Sequence, residues 1–166
     1  MNNRGNARKA NAHADINLLK IKPFTAMGYA REILSPERLD ATRTEVAVLM
    51  HGAAMLSPER LDACAADMPC AALMYTAAML SPERLDACAA ARPCAALEFA
   101  SALLTPGRLD ACAAARPFAA LMYTAALLTP ERLDACAKAA PYMALEYATA
   151  LLTPERLEWC KMEVAK

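Results

Sequence analysis

Thiols at a fixed interval are the first residues in this chain to ask for a chemical role. Cys64, Cys88, Cys112, Cys136 and Cys160 follow one another at equal steps, and Cys70 and Cys94 form a second series with the same step. Metal ligation is not expected from them, because no Cys-x-x-Cys pair supplies the close ligand spacing that zinc sites use. Disulfides are not expected either. Equivalent atoms on stacked helices lie about 8–10 Å apart, beyond the roughly 7 Å Cα separation that a disulfide spans. The longer series reads as small apolar core residues, although Cys160, in the last half copy, could be accessible.

Arginines carry the next candidate chemistry. Arg38, Arg60, Arg84, Arg108, Arg132 and Arg156 each stand two residues before a carboxylate: Asp40, Asp62, Asp86, Asp110, Asp134 and Glu158. A cation in the first turn of a helix opposes the helix dipole, so another interaction must hold it. One solution is an ion-pair ladder between adjacent copies. The other is an anion-binding stripe for a phosphate backbone, in which Arg60, Arg84, Arg108 and Arg132 would act with Arg92 and Arg116. With at least as many carboxylates as arginines in the phrase, the ladder is favoured. The two histidines are His13 and His51, and His51 replaces the Tyr75-type aromatic of other copies, so a packed imidazole is expected. Catalysis needs a singular constellation, whereas these polar residues recur with a period. No enzyme, metal site or cofactor is expected.

The element that positions all of these residues is a repeated phrase, Leu-(Ser/Thr)-Pro-Glu-Arg-Leu-Asp. It begins at Leu34, Leu56, Leu80, Leu104, Leu128 and Leu152, with Gly107 and Glu158 as substitutions. A fixed period in the range of roughly 20–50 residues marks a stacked repeat architecture. The units are 56–79, 80–103, 104–127 and 128–151, preceded by a shortened copy at 34–55 and a worn copy at 10–33, and followed by a half unit at 152–166. Residues 1–9 form a polar basic leader.

Within a unit, a hydroxyl residue, a proline and a glutamate stand in the order of an N-cap, a first helical residue and a carboxylate at the positive end of the dipole. A first helix therefore starts at Pro58, Pro82, Pro106, Pro130 and Pro154, and stops before the next proline. A second helix starts at Pro69, Pro93, Pro117 and Pro141 and runs about eleven residues to the next Leu-(Ser/Thr). The apolar stripe of the first helix is Leu61, Cys64, Ala65 and Met68. That of the second is Ala72, Leu73, Tyr75, Thr76, Met79 and Leu80. Helices this short are marginal alone, so stacking must hold them. The expectation is an all-α protein, an α-solenoid of tandem 24-residue helix-turn-helix units in one domain.

Composition agrees: 166 residues at 57% hydrophobic content, much of it alanine, suit many small interlocking faces. The longest uncharged stretches, 68–82 and 117–130, are bounded by prolines and too short for a membrane span. The N-terminal segment lacks the apolar core of a secretory signal, so a cytoplasmic setting is expected. Net charge is zero overall, yet residues 1–33 carry six cations against two carboxylates. Such a leader could touch nucleic acid or an acidic partner, and more often is a solvated tail.

The stretch Pro141-Tyr-Met-Ala-Leu-Glu-Tyr-Ala-Thr-Ala-Leu-Leu-Thr-Pro-Glu-Arg-Leu resembles a bacterial and protist repeat family of unknown function. That family is built on Ala-Leu-x-Tyr-Ala followed by a leucine and a second short helix. The likeness covers about residues 10–166 and implies a fold, not an activity. Leu128-Thr-Pro-Glu with Ala144-Leu145-Glu146 is also similar to the opening and middle of a TAL-effector repeat, a DNA-reading unit. That resemblance implies base reading in the loop after the first helix, at Asp67-Met68, Ala91-Arg92, Ala115-Arg116 and Ala139-Ala140. The present units are shorter and carry proline in place of the loop glycines.

Comparing the copies separates framework from free positions. Leu61, Ala63, Cys64 and Leu73 hardly change in kind between units, so packing fixes them. The places that change are Met68, Arg92, Arg116 and Ala140; Cys70, Cys94, Phe118 and Tyr142; and Met74, Glu98, Met122 and Glu146. They fall at the corner between the two helices and along one side of the second. Their mixture of Met, aromatic, Arg and Glu suits a protein surface. The expected function is non-enzymatic binding of a protein or peptide partner, as an adaptor or stoichiometric inhibitor. Nucleic-acid binding through the arginine stripe is the alternative, and self-assembly through Trp159, Met162 and Val164 of the half unit is a third.

Overall fold

A computed structural model of the chain describes Val46 and residues 48–166. The leader 1–9, the copy 10–33 with His13, most of the copy 34–55 with Arg38 and Asp40, and the His51 side chain lie outside the described residues. Among the described residues the structure is helical and contains no strand.

Five helices open on the repeated phrase: α1 (Pro58–Asp67), α3 (Pro82–Ala91), α5 (Pro106–Ala115), α7 (Pro130–Ala139) and α9 (Pro154–Val164). Each starts as the residue order dictates. The hydroxyls of Ser57, Ser81, Thr105, Thr129 and Thr153 accept from the backbone N–H of Arg60, Arg84, Arg108, Arg132 and Arg156 at 3.2–3.3 Å. Each cap satisfies one donor left open by the first turn, and the proline behind it has no donor to lose.

Between them stand α2 (Pro69–Thr76), α4 (Pro93–Phe99), α6 (Pro117–Thr124) and α8 (Pro141–Tyr147). One residue separates each from the helix before it: Met68, Arg92, Arg116 or Ala140, at φ −132° to −143° and ψ 65° to 68°. The following proline bars that residue from helical geometry. Its backbone is nevertheless fully used. The N–H donates to the carbonyl of Cys64, Cys88, Cys112 or Cys136 at 2.9 Å, and the carbonyl accepts from Ala72, Ala96, Ala120 or Ala144 at 2.9–3.0 Å.

These second helices are shorter than expected. The α-helical part covers seven or eight residues, and a three-residue 3₁₀ turn follows: Ala77–Met79, Ser101–Leu103, Ala125–Leu127 or Thr149–Leu151. The junction residues Thr76, Ala100, Thr124 and Ala148 sit at φ −127° to −137°. Thr76 and Thr124 are buried and donate their hydroxyls to the carbonyls of Ala72 and Ala120 at 2.9 Å. That satisfies the carbonyls of the last turn and leaves the chain free to change direction.

Packing follows the chain. Each helix lies against its sequence neighbours, α1, α3, α5, α7 and α9 pack in succession, and α2, α4, α6 and α8 do the same. The core is one contiguous cluster. Leu73, Leu97 and Leu121 are at most 1% exposed, as are the alanines at the helix contacts, Ala65, Ala89, Ala113 and Ala137 with Ala72, Ala96, Ala120 and Ala144. Burying one leucine contributes about 1.5–3 kcal/mol, and the alanines allow the helix axes to approach. Two stripe assignments need correction. Tyr75 and Met79 are exposed. At about 100° per residue, Tyr75 falls about 60° outside the arc of Ala72, Leu73 and Thr76, and the 3₁₀ turn carries Met79 off the buried face. No helix among the described residues is long and apolar enough to cross a membrane.

Candidate functional site

The thiols are placed by the packing of the odd-numbered helices. Cys64, Cys88, Cys112, Cys136 and Cys160 are buried and unpaired as disulfides. The Sγ of Cys88, Cys112, Cys136 and Cys160 lies 3.5–3.9 Å from the carbonyl of Ala65, Ala89, Ala113 and Ala137 in the preceding unit, so each thiol donates across the helix interface. Burial pushes these four thiols above the usual range, which keeps them protonated donors. Cys160 is fully enclosed, against the expectation of accessibility. Cys70 and Cys94 are exposed, and among the described residues no group of three or more potential ligands could hold a metal ion.

The arginines form a ladder. Arg108 donates from Nε and Nη2 to the two Asp86 carboxylate oxygens at 2.6 and 2.5 Å, and Arg132 to those of Asp110 at 2.6 Å each. Arg156 binds Asp134, whose second oxygen receives Lys138 at 2.9 Å. In each case the carboxylate bound by the arginine belongs to the preceding unit. The guanidinium bonds hold Asp86, Asp110 and Asp134 below the usual carboxylate range, with Lys138 adding to the effect at Asp134. The same contact raises Arg108 and Arg132. One rung differs: no hydrogen bond joins Arg84 to Asp62, and Arg84 Nε is enclosed without an acceptor. Of the residues proposed for a phosphate stripe, Arg108 and Arg132 thus direct donors at protein carboxylates, Arg60 and Arg84 are half-buried, and Arg92 and Arg116 are exposed.

Of the residues singled out for partner binding, Arg92, Arg116, Phe118, Tyr142, Met74, Glu98 and Glu146 are exposed. Phe118 and Tyr142 reach 56% and 63%, high for residues of their size. Met68 and Met122 are only half-buried and pack against the core, and Ala140 is buried. The structure adds two rows that variation between copies could not reveal. Tyr75, Phe99, Tyr123 and Tyr147 are exposed near the ends of the even-numbered helices, and Met79, Leu103, Leu127 and Leu151 in the 3₁₀ turns. They were missed because they barely change in kind from copy to copy, and constancy was assigned to packing. The signal that would have found them is the helical angle of Tyr75.

The adjacent Glu146 carboxylate holds the Tyr147 phenol above its usual range, and Tyr142 and Tyr123 add to the effect. At one place of the even-numbered helices Met74, Glu98, Met122 and Glu146 alternate from unit to unit. On α9, Met162 and Val164 are exposed while the Arg156 guanidinium stacks 4.8 Å above the Trp159 ring. Comparison of the chain with protein families, with curated proteins and with solved structures finds no match.

Proposed function

We propose that the chain is an α-solenoid of 24-residue helix-turn-helix units that binds a protein or peptide partner, in the manner of an adaptor or stoichiometric inhibitor, and performs no chemistry itself. The carrying observation is the exposed apolar surface of the even-numbered helices and their 3₁₀ turns. Ten large side chains there, from Tyr75 to Leu151 and including Phe118 and Tyr142, are each more than a third exposed. Exposed apolar side chains gathered on one set of helices are the material of interaction sites, and aromatic, Met and Arg residues are the types enriched at protein interfaces. Succession of like packed on like, with the capped helices starting at equal steps from Pro58 to Pro154, supports the solenoid. The carboxylates bound to Arg108 and Arg132 weigh against a phosphate stripe.

The test combines Arg92→Glu and Arg116→Glu with Phe118→Ala and Tyr142→Ala. The variant is expected to keep its helical circular dichroism and to lose capture of its partner from a lysate of the source cell. Unchanged capture would show that another surface does the binding.

A further inference from the structure

Contacts between successive odd-numbered helices run in one direction. Arg108 on α5 reaches back to Asp86 on α3, and the Cys112 thiol reaches back to the Ala89 carbonyl. The same two contacts join α7 to α5 and α9 to α7. The arginine and the cysteine of a helix therefore face the unit before it. The aspartate, and the alanine three residues further on, face the unit after it.

Helix α9 keeps the first of these faces and changes the second. Towards α7 it carries the usual residues: Arg156 binds Asp134, and Cys160 is enclosed beside the Ala137 carbonyl. On the opposite face Glu158 stands where the other described copies have Asp62, Asp86, Asp110 and Asp134, and Lys161 where they have Ala65, Ala89, Ala113 and Ala137. Those four alanines are 0% exposed, and their small size lets the next helix approach. Lys161 donates to Glu158 at 2.7 Å. The carboxylate that an incoming arginine would need is thus taken by the very side chain that stands on the contact.

Other changes agree. Trp159, in the place of the exposed Ala63, Ala87, Ala111 and Ala135, packs against the core with the Arg156 guanidinium over its ring, so α9 covers core surface with a side chain of its own. Val164 is helical where Met68, Arg92, Arg116 and Ala140 leave the helix, and Ala165 replaces the proline that forces that break. The exposed Met162 lies off the contact, at a place where Ala66, Ala90, Ala114 and Lys138 are exposed although a further unit follows.

We propose that α9 is an end cap, on which no further repeat stacks, whether on a second copy or joined to the same chain. Stacking there would take the Lys161 ammonium out of water with its carboxylate or away from it, and both are costly. This cap rests on the succession of packed helices and is independent of the partner-binding reading. It keeps the array discrete, since head-to-tail addition of like faces makes open filaments, and it sets aside self-assembly through the half unit.

The experiment lengthens the full chain in register by joining a second copy of residues 141–166 after Val164, which makes the present α9 an inner helix. Limited tryptic digestion, followed by intact mass, reads the first cut at the arginine in the added copy of α9. With the inner α9 unchanged, that cut is expected at least about tenfold faster than with Glu158→Asp, Trp159→Ala and Lys161→Ala in the inner copy, because cleavage follows the population of the open form. Equally slow cuts would show that a unit stacks on α9 as it is, and equally fast cuts that these three residues do not close the stack; either result overturns the cap. Unchanged helical circular dichroism per residue of the array checks that the variant is folded. The unmodified protein gives a second readout, since Trp159 is its one tryptophan. Its emission maximum should stay constant from micromolar to near-millimolar concentration, and a shift to shorter wavelength would mean that a second copy covers α9.

Discussion

The two kinds of helix start in this chain do the same job by different means. α1, α3, α5, α7 and α9 begin behind Ser57, Ser81, Thr105, Thr129 and Thr153, whose hydroxyls cap the first turn. α2, α4, α6 and α8 begin behind Met68, Arg92, Arg116 and Ala140, and no side chain caps them. A proline follows in every case. At the second kind of start the backbone of the single linking residue closes the helix behind it and opens the helix ahead, so neither helix needs its side chain as a cap. Where backbone and proline suffice, the side chain can vary without cost to the fold, and that is where the copies differ. A recognition surface can be written at such positions and not at the capped ones.

The largest effect that would sharpen this contrast lies within one helix. Leu121 and Tyr123 both belong to α6, the first at 1% exposure and the second at 43%. Leu121→Ala should lower the unfolding free energy by about 2–5 kcal/mol, through lost burial and the cavity left behind. Tyr123→Ser should stay within about 0.5 kcal/mol. Urea titration of the two variants measures both, and a comparable loss for Tyr123 would place that ring in the core and remove it from the interaction surface.

Next in size is a comparison of the starts themselves. Thr129→Ala deletes the cap of α7 and should cost about 0.5–2 kcal/mol. Arg116→Ala, at the uncapped start of α6, should change stability by no more than about 0.5 kcal/mol. An equal cost at both positions would mean that Arg116 has a structural role after all.

Much of this was legible in the letters because each unit spells its own boundaries. Ser-Pro and Thr-Pro mark the starts of the odd-numbered helices to the residue, and Pro69, Pro93, Pro117 and Pro141 those of the even-numbered ones. The ends of the latter were not legible. No proline or glycine follows Thr76 or Ala100, and the change to a 3₁₀ turn has no punctuation of its own. That unseen turn displaced Met79, Leu103, Leu127 and Leu151 from the core to the surface. The site was legible only where it varies. Arg92, Arg116, Phe118 and Tyr142 stand out by comparing copies, whereas the constant Tyr75, Phe99, Tyr123 and Tyr147 look like framework until the helix is seen to turn them outward.

A smaller effect runs in the stabilising direction. Gly107→Glu should raise stability by about 0.5–1 kcal/mol, by restoring a side chain in a helix that has room for it and a carboxylate near the positive end of the dipole. Thermal unfolding measures the shift. A loss of stability would mean that the glycine serves the fold.

The smallest effect compares two rungs of the arginine ladder. Arg132 donates two hydrogen bonds to Asp110, whereas Arg84 makes none to Asp62. A double-mutant cycle on Arg132 and Asp110 should return a coupling of about 0.2–1 kcal/mol, small because both side chains are substantially exposed and water screens them. The same cycle on Arg84 and Asp62 should return none. The pH dependence has a fixed sign. The Asp110 carboxyl is held below its unfolded value, so its contribution is complete above the ordinary carboxylate range and fades as pH falls through the lowered pKa. High salt should erode it at neutral pH as well. Equal coupling on both rungs would show that the two units share one geometry in solution. A coupling that persists in acid would show that something other than the ion pair joins Arg132 to its neighbour.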